Sequence, residues 1–279
     1  MSQVINQCVE KQYSVALPDT ALMGILNITP DSFSDGGKYL EVNEALHAGR
    51  QMITDGAQIL DVGGMASGPG SVLLDQALEL ERILPIVKAL NNETTISVDT
   101  FRSSVARPCL EEGARIINDI SALRYDPEMP NLIKDFSASI VLMFSKESAS
   151  HPQVTEKQVE YGDIIAHISS FFTERIEVAQ RAGLSNQQII LDPGMGAFVS
   201  AYPEYSWEIL DRLAELRSQF AEFKFLIGAS RKGFLGGTKN DRDQLSQLVA
   251  MFAVQDGVDI VRTHNVEMAS ACLRCIARS

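Results

Sequence analysis

Short apolar runs alternate with longer amphipathic stretches along most of the chain. The runs are rich in Val, Ile and Leu without strict alternation, which is typical of strands buried on both faces. A helical pattern follows each run, most clearly at residues 161–182, where the apolar positions share one side. Predicted helix ends fall at Gly56, Gly113, Gly183 and Gly257. Eight strands are predicted, at residues 21–26, 58–62, 95–98, 115–118, 139–143, 188–191, 224–227 and 259–261.

The strand–helix order, repeated eight times, decides the fold class. It predicts a single-domain α/β protein built as a closed (β/α)8 TIM-type barrel. The alternative is a doubly wound open sheet, which usually carries a Gly-rich fingerprint after its first strand, and none stands here. We therefore expect an N-terminal extension at residues 1–20 and a barrel domain at residues 21–279. Three strand-to-helix connections are long, and such connections are usually functional: residues 27–42, 63–74 and 145–160.

Composition narrows the class of partner. The chain has 24 Lys and Arg against 36 Asp and Glu, a net charge of −12, so no nucleic-acid partner is expected. No apolar run approaches the roughly 20 residues of a membrane helix, so no membrane partner is expected. Residues 1–18 do not read as a signal peptide, which predicts a cytoplasmic protein. Cys272 and Cys275 form a C-x-x-C inside a helical pattern, and we expect buried small apolar residues there.

Polar residues close seven of the eight predicted strands. Any one of them could be a satisfied structural group. A whole ring is different, because buried carboxylates are costly unless they are paired. The ring predicts a ligand at the C-terminal mouth of the barrel, where barrel enzymes keep their chemistry. Its members are Asn27, Asp61, Asp99, Asn118, Asp119, Asp192, Ser230, Arg231, Lys232, Arg262 and His264.

The ring divides into two chemical halves. Asp99, Asn118 and Asp192 offer acceptors and amide groups that suit a flat heterocycle rich in N–H donors, with Lys232 close by. Donors suited to phosphate oxygens come from a second set, Asn27, Arg262 and His264. His264 alone could be a core histidine. Because it stands one residue beyond Arg262, both side chains face the same way, which favours anion binding.

The same positions carry a resemblance to a known family. Residues 24–37, GILNITPDSFSDGG, resemble the first signature of dihydropteroate synthases. Five further blocks follow in that family's order: SVDT at 97–100, INDI at 117–120, LDPG at 191–194, SRK at 230–232 and RTH at 262–264. The resemblance extends from about Leu22 to the C-terminus and is specific because every block stands at a predicted strand end.

The resemblance implies a reaction and a set of roles. The family joins 6-hydroxymethyl-7,8-dihydropterin diphosphate to p-aminobenzoate in folate synthesis, as a Mg2+-assisted transferase, and a homodimer is expected. Asp99, Lys232 and Asn27 would be catalytic. The pterin would be held by Asp99, Asn118, Ile120, Asp192, Gly228 and Lys232. The diphosphate would meet Asn27, Arg262 and His264, with Asn27 also at the metal. p-Aminobenzoate would meet Phe33, Ser67, Pro69, Phe198, Ser230 and Arg231.

The chain departs from the family pattern in three places. The second loop usually reads GGESTRPG, but here Met65, Ser67 and Gly68 replace its Glu, Thr and Arg. MFS stands at 143–145 where the family often has Met-His-Met, and the segment after Asp192 is lengthened and contains Phe198. This combination is similar to the sulfonamide-insensitive dihydropteroate synthases. Because sulfonamides mimic p-aminobenzoate, changes here can separate drug from substrate.

Two other functions remain open from the sequence. A non-catalytic pterin-binding paralogue is favoured by the lost loop Arg but disfavoured by the retained diphosphate residues, which a mere binder does not need. A pterin-dependent methyltransferase of the same superfold is disfavoured by the block at 230–232. The fold alone does not separate these functions.

Overall fold

The computed structural model describes residues 20–28, 38–65, 68, 70–71, 73–148 and 154–276. Eight parallel strands form a closed barrel in chain order, with the last strand paired to the first. The TIM-type prediction is confirmed, and each observed strand end lies within two residues of its predicted position. The strands are β1 Ala21–Asn27, β2 Ile59–Gly63, β3 Thr95–Asp99, β4 Ile116–Asp119, β5 Ser139–Met143, β6 Ile189–Asp192, β7 Lys224–Ile227 and β8 Ile260–Thr263.

Nine α-helices lie in the described part of the chain. The predicted helix at 161–182 is observed at Ile164–Arg181, because Asp163 caps it by accepting from the backbone amides of Ile165 and Ala166. The helices are α1 Lys38–Thr54, α2 Gln76–Leu90, α3 Ser103–Glu111, α4 Met129–Asp135, α5 Ile164–Arg181, α6 Glu204–Asp211, α7 Leu213–Gln219, α8 Lys239–Gln255 and α9 Val266–Ile276.

The predicted helix-ending glycines share one backbone conformation. Gly56, Gly113, Gly183 and Gly257 have φ of 112°, 103°, 96° and 85°. Side chains with a Cβ rarely adopt such angles, so glycine ends each helix and turns the chain toward the next strand. The prediction of helix ends at these four positions is confirmed.

The barrel interior changes character from bottom to top. Seven of the eight strands contribute one buried apolar side chain each to a floor formed by Met23, Ile59, Ile116, Val141, Ile190, Leu226 and Ile260. A larger apolar core lies between the strands and the surrounding helices. Because strand side chains alternate, residues two positions after the floor also face inward. Most of that next layer is polar or lacks a side chain: Asp61, Asn118, Asp192, Gly228 and Arg262, together with Ser97 of β3, which pairs with Asp61 in the strand register.

Some predictions are corrected and others fall outside the described residues. Cys272 is half-buried and Cys275 exposed, so the prediction that both are buried is wrong, although both lie on α9 as expected. The first long connection is shorter than predicted, because α1 begins at Lys38. The predicted extension is almost wholly outside the described residues, as are Phe33, Ser67 and Pro69. In the described part, no helix is both long and apolar enough to cross a bilayer.

Candidate active site

A cavity of about 960 Å3 opens at the carboxyl ends of the strands. Two members of the predicted polar ring, Asp61 and Asp119, do not line it, whereas every described residue that was given a catalytic or binding role does. The residues with such a role are Asn27, Asp99, Asn118, Ile120, Asp192, Phe198, Gly228, Ser230, Arg231, Lys232, Arg262 and His264. Because they come from strands on all sides of the barrel, closure of the sheet is what brings them together.

One aspartate below the cavity connects its polar wall. Asp61 has no exposed surface. Its Oδ2 accepts hydrogen bonds from Arg262 Nε at 2.6 Å and Asn118 Nδ2 at 2.9 Å, and its Oδ1 accepts from Ser97 Oγ at 2.6 Å. Arg262 also donates from Nη2 to Asp99 Oδ2 at 3.0 Å. Arg262 therefore lies against the carboxylates on the predicted pterin side of the cavity.

Burial sets the protonation of the cavity carboxylates and lysine. Desolvation, with repulsion from Asp61, raises the pKa of Asp99 to about 7, although Arg262 opposes the shift. Burial also raises the pKa of Asp192, whose Oδ1 accepts from the Gly194 amide at 2.8 Å. Burial lowers the pKa of Lys232 to about 8, against the pull of Asp192 and Asp99. The pKa values of Asp99 and Lys232 therefore both lie near neutral pH.

Phe198 forms an apolar wall beside the lysine. The Nζ of Lys232 lies 4.3 Å from the centroid of the Phe198 ring, a cation–π distance. Phe198 is only 7% exposed. It packs in a cluster with Met65, Phe101, Ile120, Met143 and Val154. Its ring both lines the cavity and is held from behind, so its freedom to move is small.

Ser230 and His264 form a hydrogen-bonded pair at the mouth. Ser230 Oγ and His264 Nδ1 are 2.9 Å apart, and the His264 amide donates to the same oxygen at 3.1 Å. Burial lowers the pKa of His264 to about 3, with the positive charges of Arg231 and Arg262 adding to the effect. The imidazole is therefore neutral at physiological pH and meets a ligand as a hydrogen-bonding group rather than as a cation.

Arg231 is turned toward α8. Its backbone is left-handed, with φ of 59°. Its guanidinium makes a two-pronged ion pair with Asp243, at 2.6 Å from Nε and 3.0 Å from Nη2. The pair leaves Arg231 at the edge of the cavity, with most of its charge already matched.

The two polar residues at the end of β4 have different roles, which the sequence did not separate. Asn118 faces the cavity, whereas Asp119 accepts hydrogen bonds from the amides of Ser121 and Leu123, each at 2.8 Å. These bonds shape a turn in which Ala122 and Leu123 adopt left-handed φ values of 51° and 62°. Asp119 is therefore structural. The two-residue alternation of β4 is the signal that distinguishes the pair.

Lys146 is a residue that the sequence did not single out. Its amine donates to Glu147 Oε1 at 2.6 Å, to the Thr155 carbonyl at 2.8 Å and to the Ala197 carbonyl. Its backbone amide donates to the Phe198 carbonyl at 2.9 Å. These contacts tie the connection after β5 to the segment that carries Phe198. No apolar periodicity marks this stretch, so the sequence pattern held no signal for it.

Comparison with known proteins shows the family of the chain. The family model described as pterin binding enzyme matches residues 23–264. A dihydropteroate synthase of Synechocystis sp. is 39% identical over 91% of this chain and 88% of its own length. The chain belongs to the dihydropteroate synthase family. Its relatives include a dihydropteroate synthase type-3 of Escherichia coli, 36% identical over 91% of this chain and 97% of that protein.

Solved structures agree with this assignment. A dihydropteroate synthase of Clostridium difficile, determined in the presence of pteroic acid, superposes with a TM-score of 0.83. It is 33% identical, and the match covers 96% of this chain and all of that one. As a dihydropteroate synthase, the chain is a transferase of folate biosynthesis.

Proposed function

We propose that the cavity joins 6-hydroxymethyl-7,8-dihydropterin diphosphate to p-aminobenzoate, giving 7,8-dihydropteroate and diphosphate. The observation that carries this proposal is the convergence of acceptors and cations in one cavity, with Asp99, Asn118 and Asp192 beside Lys232 and Arg262. The C–O bond to diphosphate breaks, a pterin methylene cation is left, and the amine of p-aminobenzoate forms the new C–N bond. Such a path needs acceptors for the ring and donors for the leaving group.

The pterin half of the site holds the ring and its developing charge. Asp99 and Asp192 accept from ring N–H groups, and Asn118 completes the polar edge. Ile120 and Gly228 form the flat apolar sides that a heterocycle needs. Lys232 donates to the ring from the side of the cavity that Phe198 closes. The ionised Asp99 stabilises positive charge on the ring more strongly than water can, because its carboxylate is largely buried.

The diphosphate half is formed by Asn27, Arg262 and His264. Mg2+ takes oxygen ligands and usually keeps substrate phosphates and waters in its shell. Asn27 Oδ1 fits this chemistry, since it is an oxygen beside the bare Gly63, 3.4 Å from where a Cβ would stand. Among the described residues, no three His, Cys, Asp or Glu side chains cluster as a metal site. A Mg2+ ion bound with the diphosphate would offset charge developing on the leaving group.

The p-aminobenzoate half lies at the mouth. Ser230 and Arg231 would meet the carboxylate, and Phe198 would contact the aromatic ring. Phe33, Ser67 and Pro69 complete this half by the family resemblance, although they lie outside the described residues. The proposal is consistent with the position of Ser230, whose hydroxyl already pairs with His264 and can turn to a second acceptor.

One assay tests the activity. Purified protein is incubated with the pterin diphosphate, p-aminobenzoate and Mg2+, and diphosphate release is followed. We expect turnover that Asp99→Asn abolishes. Calorimetry with the pterin substrate is the companion measurement: binding without any diphosphate release would favour the non-catalytic paralogue and overturn the proposal.

We also propose that the enzyme discriminates against sulfonamides. Phe198 packs against an apolar cluster, and its carbonyl accepts a hydrogen bond from the Lys146 backbone amide. Its ring is therefore a rigid wall beside the site for the aryl substrate. Gly68 replaces the long cation of the usual second loop, and among the described residues a Cβ there has no neighbour within 4 Å. A sulfonamide carries a tetrahedral sulfonyl group and a further ring. A rigid wall repels that added bulk while the planar carboxylate of the substrate passes.

The discrimination is measured as the inhibition constant for sulfamethoxazole divided by KM for p-aminobenzoate. We expect a ratio well above one in the parent and a fall of about tenfold or more in a variant lacking Phe198, because steric clashes typically cost 1–3 kcal/mol. Lys157→Met, an exposed change on the neighbouring connection, is the control. Inhibition of the parent at concentrations near KM, or an unchanged ratio in the variant, would contradict the proposal.

We further propose that two copies associate through α8 and α9. Leu248 and Phe252 are 58% and 65% exposed and stand one helical turn apart on α8, and Met268 on α9 is 36% exposed. Large apolar side chains grouped on adjoining helices are costly to leave in water. A second copy of this chain presents the same patch, so a symmetric pair covers both at once.

A further inference from the structure

We propose that Asp61 is a positioning residue for the synthase reaction, fixing Asn118 and Arg262 in the orientation that receives the pterin diphosphate. The inference rests on the proposed function and adds a residue to which no role was given. Asp61 has no exposed surface and is absent from the cavity lining, so it acts through its neighbours.

The hydrogen bonds of Asp61 decide which atoms face the cavity. An ionised carboxylate only accepts, so Asn118 must present its Nδ2 to Asp61 Oδ2, as observed at 2.9 Å. The amide oxygen of Asn118 is then left for a ring N–H. Arg262 donates hydrogen bonds from Nε to Asp61 and from Nη2 to Asp99. Among the described residues, its Nη1 has no acceptor and remains for the substrate.

The position of Asp61 argues against a packing role. It stands beside Ile25 in the strand register, at the same height in the barrel. An apolar side chain is therefore tolerated at that level, and burying a carboxylate there is costly unless its charge is used. Ser97, its neighbour on β3, binds the other oxygen and prevents rotation of the carboxylate.

Asp61 also acts on Asp99 electrostatically. Four charged groups face Asp99: Asp61 on β2, Glu79 on α2, Arg262 on β8 and Lys232 after β7. The two carboxylates raise the pKa of Asp99 and the two cations lower it. Removing the charge of Asp61 therefore lowers the pKa of Asp99, an effect that a purely structural defect does not produce.

The test is Asp61→Asn, with steady-state kinetics for each substrate. We expect KM for the pterin diphosphate to rise about tenfold, the equivalent of one charged hydrogen bond, with KM for p-aminobenzoate changed less than about twofold. The acid limb of kcat/KM for the pterin should move to lower pH. Asp259→Asn is the matched control, because Asp259 holds Arg217 and the Phe225 amide before β8, at the far end of the barrel.

The outcomes separate this inference from the proposed function. If wild-type protein shows no turnover, the proposed function fails, and pterin affinity by calorimetry still reports on Asp61. An unchanged pterin KM and an unmoved acid limb in Asp61→Asn would overturn the inference, as would equal rises in both KM values. If Asp61→Asn does not fold, Ser97→Ala frees the same carboxylate, and an unchanged pterin KM there would equally overturn it.

Discussion

The charges around Asp99 and Lys232 define a pH window at the scale of single residues. The pKa of Asp99 is raised to about 7, so protonation below that pH removes the acceptor for the pterin. The pKa of Lys232 is lowered to about 8, so deprotonation above that pH removes the donor. Because kcat/KM reports the free enzyme, we expect a narrow bell in kcat/KM for the pterin diphosphate between these values.

Variants assign each side of the bell. Lys232→Met should remove the alkaline limb and move the acid limb to higher pH, because the positive charge of Lys232 lowers the pKa of Asp99. Ala166→Glu, an exposed change on α5, should leave both limbs in place. An alkaline limb that persists near pH 8 in Lys232→Met would show that another group controls it.

His264 illustrates how burial changes the protonation state of a residue and so the way in which it binds a ligand. Its pKa is lowered to about 3, so it is neutral when it meets the diphosphate. We expect His264→Gln, which keeps a polar donor, to raise the pterin diphosphate KM only a few-fold. His264→Ala should raise it about tenfold, because the hydrogen bond is lost. KM measured from pH 5.5 to 8.5 in the parent and in His264→Gln checks this, and a rise near the ordinary histidine pKa of about 6.5 that only the parent shows would contradict it.

At the scale of elements, Lys146 links the connection after β5 to the connection after β6, which the strand pairing of the barrel does not hold together. Its amine reaches the Thr155 and Ala197 carbonyls, so it holds the connection after β5 against the Phe198 segment. We expect Lys146→Met, which keeps the apolar stem, to raise KM for p-aminobenzoate about fivefold, near one ordinary hydrogen bond. Hydrogen exchange of residues 145–148 and 196–200 should rise in parallel.

Lys157→Met controls for the loss of a lysine charge on the same connection, since that side chain is exposed. The Lys146 assignment is wrong if both variants have the same KM and the same exchange. A rise in the pterin KM of similar size would also count against it, since Lys146 makes no described contact with the pterin residues.

Features that depend on local sequence patterns were predicted well, and features that depend on contacts between distant residues were not. Strand positions were predicted to within two residues because buried strands carry dense apolar runs, and α5 differed only because the Asp163 cap starts it later. Lys146 was missed because its role depends on carbonyl groups far along the chain. Cys272 and Cys275 were misjudged because the helical period does not show which face of α9 is covered. Asp61 needed the strand register, which closure of the barrel sets.

At the scale of the whole molecule, the net charge of the chain is negative, whereas the mouth of the cavity gathers cations. The chain carries a net charge of −12, yet the mouth gathers Arg231, Lys232, Lys239, Arg242 and Arg262. Cations gathered at one place on an acidic protein draw small anions to that place. Both proposed substrates are anions, so the distribution of charge agrees with the assigned cavity.

The assembly proposed through α8 and α9 gives the last prediction. Phe252 is the most exposed large apolar side chain on the described surface, at 65%, and Leu248 lies one turn before it at 58%. A stable interface buries about 800 Å2 on each partner, and its centre does not tolerate unpaired charge. The Phe252→Glu substitution would place an unpaired charge within that centre. We therefore expect Phe252→Glu to sediment as a monomer at micromolar concentration while the parent sediments as a dimer.

The control adds the same charge elsewhere. Ala166→Glu lies on the exposed face of α5 and should leave the dimer intact. Because every described site residue belongs to one barrel, the Phe252→Glu monomer should keep turnover within about threefold of the parent, a change of less than 1 kcal/mol. A parent that already sediments as a monomer would refute the assembly, and so would a Phe252→Glu variant that remains a dimer, since α8 would then lie outside the interface.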